Sequence, residues 1–107
     1  MKRAAALLFA LAACMHPWRA FCADAFPKAD PKAGKQLFDE AKCNACHEKM
    51  MSGDGNRIFT RPDRRITSAA ALAKMVRFCI DRTGASVFPE DAEHIAAYLN
   101  EQFYKFK

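Results

Sequence analysis

The chain has no uninterrupted apolar run of the roughly 18 residues that a membrane-spanning helix needs. Its 4 glycines and 5 prolines among 107 residues are too few for a collagen-like or low-complexity chain. No stretch alternates apolar and polar residues with the period of two that marks a half-buried strand, and no segment repeats. What is present, 51% hydrophobic and 27% charged residues, suits one compact domain rather than disorder. The basic excess is thin. The whole chain carries +5, but from Phe26 onward 14 Lys and Arg face 11 Asp and Glu, a net +3 with no basic stripe. No nucleic-acid partner is therefore expected.

The N-terminal segment predicts the compartment. Lys2 and Arg3 precede an apolar run from Ala4 to Ala13, the pattern of a secretory signal. Ala23-Asp24-Ala25 is a small-residue cleavage site, which predicts a cleaved signal peptide over residues 1–25 and one domain over residues 26–107. An alternative reading is open at Leu11-Ala12-Ala13-Cys14, which resembles a bacterial lipobox whose cysteine is lipidated. Both readings send the domain to the periplasm, the second with a lipid anchor through Cys14. No transmembrane segment is expected in the mature chain. A domain that short lies near the lower limit of what an apolar core alone stabilises, so a staple is expected.

Cys43-Asn44-Ala45-Cys46-His47 supplies it. C-x-x-C-H is the attachment signature of a c-type haem. On a short helical turn, cysteines three apart reach the two vinyl groups of one porphyrin as thioethers, and the next residue, His47, is set beneath the iron as proximal ligand. A zinc site would need a second ligand pair at similar spacing, and a thioredoxin-like pair would need a βαβ context; neither is present. The expected cofactor is one covalently attached haem c, held by Cys43, Cys46 and His47.

The surroundings read as helices. Asp30-Pro31 is a helix start, followed by an apolar face through Gly34, Leu37, Phe38 and Ala41. Residues 52–65, with Gly, Asp, Asn, Pro and four Arg, read as a loop. Thr67 or Ser68 caps a second helix with Leu72, Met75, Val76, Cys79 and Ile80 inward, ended by Thr83-Gly84. Pro89-Glu90-Asp91 opens a last helix with Ile95, Tyr98, Leu99 and Phe103 on its apolar face. The expected fold is all-α, with three or more helices around one haem.

Gly34, Phe38, the Cys43–His47 motif and the Ile95–Leu99 stretch together resemble a small class I cytochrome c. The resemblance implies that the first and last helices cross near the haem edge, with Gly34, Tyr98 and Leu99 at the crossing. It also implies a distal Met in the loop before the last helix. Here that loop, residues 83–88, has no Met, His or Lys. The remaining candidates for the second axial ligand are Met50, Met51, Met75, Cys79 and His94. Met50 and Met51 follow His47 too closely to reach the opposite face, and His94 is expected on the polar side of the last helix. Met75 and Cys79, four apart, share one helix face. After cleavage at Ala25, Cys79 is left unpaired in an oxidising compartment, and thiolate ligation to iron accounts for it. Met75 remains the alternative, with Cys79 then a small buried hydrophobe.

The runs Arg65–Ser68, Val76–Cys79, Phe88–Glu90 and Ala97–Asn100 are similar to small His/Cys-ligated monohaem cytochromes of the NaxLS type. That resemblance implies paired monohaem subunits and binding of NO or CO. Three functions follow as expectations: a low-potential electron-transfer or gas-binding protein with His47 and Cys79 as axial ligands, a conventional His/Met electron carrier using Met75, or the haem subunit of a sulfur-oxidising enzyme. No acid–base constellation is present, so catalysis by the chain itself is not expected. A redox partner protein is expected, such as a second monohaem subunit. Arg57, Arg61, Arg64 and Arg65 form a basic cluster suited to an acidic partner or to a haem propionate.

Overall fold

Asp30 begins the first helix by the mechanism its side chain allows. Its carboxylate accepts the Lys32 backbone N–H at 2.9 Å, and Pro31, which has no N–H to leave unpaired, takes the first helical position. In this computed structural model, which describes residues 24–107, α1 runs Pro31–Glu40, α2 Asn44–Met50, α3 Arg57–Thr60, α4 Ala69–Thr83 and α5 Ala92–Leu99. A 3₁₀ turn, Pro89–Asp91, leads into α5, and a π-helical turn, Asn100–Tyr104, continues it. There is no strand among the described residues, as the sequence pattern predicts. The leader and Cys14 lie outside the described residues, apart from Asp24 and Ala25. Among the described residues no helix is long and apolar enough to cross a membrane.

Two turns aim the elements. At the end of α1, Lys42 takes the left-handed conformation (φ 54°). Its N–H bonds Asp39 C=O, while Cys43 N–H reaches back to Phe38 C=O at 3.2 Å. That pairing is a Schellman end, and it reverses the chain so that α2 begins beside the C-terminus of α1. At α4, Ser68 Oγ accepts the Ala71 N–H at 3.1 Å and Gly84 ends the helix at φ 65°.

The core lies between α1, α4 and α5. Phe26, Phe38, Leu72, Val76, Ile95 and Leu99 are all buried in it. α1 packs mainly on α5, where Gly34 meets the backbone of His94 and Ile95, and the Phe38 and Tyr98 rings approach to 5.5 Å between centres. Gly34 and Tyr98 therefore stand at the crossing of the first and last helices, with Leu99 buried beside them.

Three features differ from the sequence reading. Within residues 52–65, expected as a loop, Arg57–Thr60 form the single turn α3, because buried Phe59 anchors it against Phe103 (centres 5.2 Å apart, stacked). The last helix changes pitch twice instead of running evenly. His94 is only partly exposed and is not free on the polar side: its Nδ1 accepts the Asp30 N–H at 2.9 Å and ties α5 to the start of α1.

Candidate functional site

One cavity of about 510 Å³ opens between α2 and α4, within the range of small-molecule and cofactor sites. Cys43, Cys46, His47 and Met50 line it from the α2 side, and Met75, Val76, Cys79 and Ile80 from α4. Phe38 of α1 and Ile95 and Leu99 of α5 complete the apolar walls. All the expected haem-contacting residues thus meet at one place, and both alternatives for the distal position, Cys79 and Met75, reach it. Met51 is not among the cavity-lining residues, and His94 is committed to α1.

Cys43, Cys46 and Cys79 are all unpaired thiols. Burial pushes the Cys43 thiol above its ordinary pKa, and Cys79 adds to the rise. Burial likewise raises Cys79, with a smaller contribution from Cys46, so these sulfurs feel one another across the cavity. Cys43 and Cys79 are therefore neutral thiols at pH 7 in the protein alone, and a bound cation is what would convert Cys79 into a thiolate. Among the described residues no group of three or more His, Cys, Asp or Glu is arranged to hold a bare metal ion.

His47 is half-buried, and burial lowers its pKa, favouring the neutral imidazole that a metal requires. Its Nδ1 lies 3.1 Å from Asn44 Oδ1, one helical turn back. Phe59 meets the ring edge-on, with centres 5.4 Å apart.

The lining also tests whether the residues suit a haem, which presents an apolar macrocycle and two carboxylates. The walls are mostly apolar, and Arg61, Arg64, Arg65 and Arg82 join them. Arg64 is already engaged, donating to Phe59 C=O at 2.6 Å and lying 4.7 Å from the centre of the Tyr104 ring. Arg61 is ion-paired with Asp63 at 3.6 Å, yet its Nε is buried and makes no hydrogen bond. A buried guanidinium N–H without an acceptor is costly, and an anionic group in the cavity would satisfy it. The residues fit the group.

The basic cluster read from the sequence is thus divided. Arg61, Arg64 and Arg65 line the cavity, whereas Arg57 turns toward Met51 C=O at 3.5 Å. Arg82, outside that cluster, lines the cavity too. The Asn44 contact to His47 went unread, although the i, i+3 spacing within the motif puts the two on one helix face.

A family model described as cytochrome C oxidase, cbb3-type, subunit III matches residues 29–99. No match was found among curated proteins or among solved structures.

Proposed function

The chain belongs to the family of cytochrome c oxidase, cbb3-type, subunit III, a haem c electron-transfer family, and we propose that Cys43 and Cys46 hold its haem c, with His47 and, from its place on the same cavity, Cys79 as axial ligands. Haem c supplies a one-electron couple, Fe(III)/Fe(II). The observation that carries the ligand assignment is the convergence of these four side chains on one apolar cavity.

The protein's own groups divide the work. Cys43 and Cys46 tether the cofactor by thioethers, and the neutral His47 offers a ring-nitrogen lone pair. Cys79, a thiol when no cation is near, would hold the iron as a thiolate once its proton has gone to solvent. Its negative charge would favour the ferric state and lower the reduction potential. Arg61, whose buried Nε–H makes no hydrogen bond, would hold a propionate. Phe38, Ile95 and Leu99 exclude water and keep the local dielectric low.

In this reading the protein is a periplasmic, low-potential electron carrier, exported by its 1–25 leader and working with a redox partner such as a second monohaem subunit. With Cys79 as the second ligand, a thiolate would hold the ferric iron more firmly than the ferrous, and the ferrous protein would then offer a position for NO or CO.

Met75 supports a second reading. It lines the same cavity and is 44% exposed, so it too can approach the iron. A neutral thioether would give a higher potential and a conventional carrier. Electron paramagnetic resonance of the ferric protein separates the two, because thiolate and thioether ligation give different low-spin signals. Cys79→Ala is expected to change that signal and raise the potential, while Met75→Leu leaves both nearly unchanged. The reverse pattern would establish Met75 as the ligand.

A further inference from the structure

Asn44 is an unspecified position of the C-x-x-C-H motif, yet its side chain is held from several directions. Its Nδ2 donates to Asn56 Oδ1 at 2.7 Å, which leaves Oδ1 as the end turned toward His47. Its Oδ1 then faces His47 Nδ1 at 3.1 Å. An amide oxygen only accepts, so Nδ1 carries the proton and Nε2 keeps the free lone pair.

The partner segment is arranged for this contact. Asn56 occupies the N-cap of α3, where an Asn side chain ordinarily caps its own helix, but it makes no such bond. Its oxygen serves Asn44 instead, while its N–H is held by Asp54 Oδ1 at 3.1 Å. Gly55 leaves the room: a Cβ there would stand 2.9 Å from Asn44 Cγ. Phe59, on the turn that Asn56 begins, closes on the imidazole edge. One short segment thus reaches His47 both directly and through Asn44.

We propose that Asn44, oriented by Asn56, is a positioning residue for His47: it accepts the Nδ1–H, selects the tautomer that presents Nε2, and tunes the reduction potential by setting how strongly the imidazole donates. Outer hydrogen-bond partners of a metal-bound His fix its orientation and basicity in this way. The proposal rests on the reading of His47 as an axial ligand.

The test is a redox titration of the haem-loaded full chain, with nitrogen NMR of the His47 ring in the ferrous state. Asn44→Asp, whose carboxylate accepts more strongly, should lower the potential. Asn44→Leu, which accepts nothing, should raise it, and Asn56→Ala should raise it less. Opposite shifts for Asp and Leu, with a matching change at Nδ1, support the proposal. Shifts of one sign, or none, overturn it, since a merely structural role has no reason to follow acceptor strength. If Asn44→Leu retains no haem, Asn44→Asp against Asn56→Ala decides by the same sign. If the wild-type His47 ring shows no iron-bound signature, the ligand reading fails instead, which is a distinguishable result.

Discussion

Gly34 lies directly against the carbonyl of His94, so closely that a Cβ at position 34 would overlap that oxygen and approach Ile95 N to 2.9 Å. The same His94 accepts the Asp30 N–H through its ring. One residue of α5 therefore meets α1 with its backbone at one turn and with its side chain at the helix cap. This fixes α1 on α5, and with it the Schellman turn that delivers Cys43.

Replacing Gly34 by Ala is expected to destabilise the haem-loaded protein by about 1–3 kcal/mol, the usual cost of overpacking, because the obstacle is backbone and cannot rotate aside. Urea unfolding monitored by circular dichroism measures it. An unchanged midpoint would mean that the two helices separate at little cost.

The features legible in the sequence are those set locally. Asp30-Pro31, Ser68 and Gly84 act within one turn of themselves, and their helices begin and end there. The cavity residues are legible because C-x-x-C-H is a covalent requirement and the 72, 76, 79 spacing is a helix face. α3 was hidden because its propensity is poor and Phe59 holds it through contacts distant in sequence. His94 looks polar and exposed until the Asp30 N–H arrives from the other end of the chain. Arg57 and Arg61 are indistinguishable by composition, and only the turn of α3 sends one away from the cavity.

Arg61 should report on its propionate. Arg61→Gln removes a cation beside the cavity while keeping a donor, so the ferric state gains and the potential falls modestly. Because the side chain is 40% exposed, solvent screens part of the effect. The potential should also vary more with pH, since an uncompensated propionate titrates closer to neutrality. A potential and pH profile identical to wild type would place the propionates elsewhere.

Burial holds the His47 pKa below the ordinary 6.5, so the folded protein binds fewer protons there than the unfolded chain. Stability is then complete above about pH 6.5 and declines as pH falls through the lower folded value. Coordination acts in the same direction, because iron and proton compete for one lone pair. The low-spin spectrum should thus persist below pH 6.5 and give way to a high-spin form only at more acid pH. Conversion centred at 6.5 or above that the Cys79→Ala variant shares would show that His47 is neither shielded nor bound.

Asn100 gives the last prediction. It is buried at 7% exposure in the π-helical turn that ends α5. Its Nδ2 donates to Phe106 C=O at 2.9 Å and its Oδ1 accepts Phe106 N–H at 2.7 Å, while Lys105, at φ 62°, bonds back to Asn100 C=O at 2.8 Å. The side chain thus replaces a missing stretch of backbone partner. The turn it closes carries Phe103 and Tyr104, which pack on Phe59, the ring beside His47. Asn100→Ala leaves the N–H and C=O of Phe106 without these partners and should cost about 1–3 kcal/mol. Asn100→Asp keeps the acceptor but sets an oxygen against Phe106 C=O, so it should be at least as damaging. Urea midpoints of the two variants check the order, and hydrogen exchange at Phe106 checks the cause. Asp outperforming Ala would mean that the Nδ2 bond contributes little.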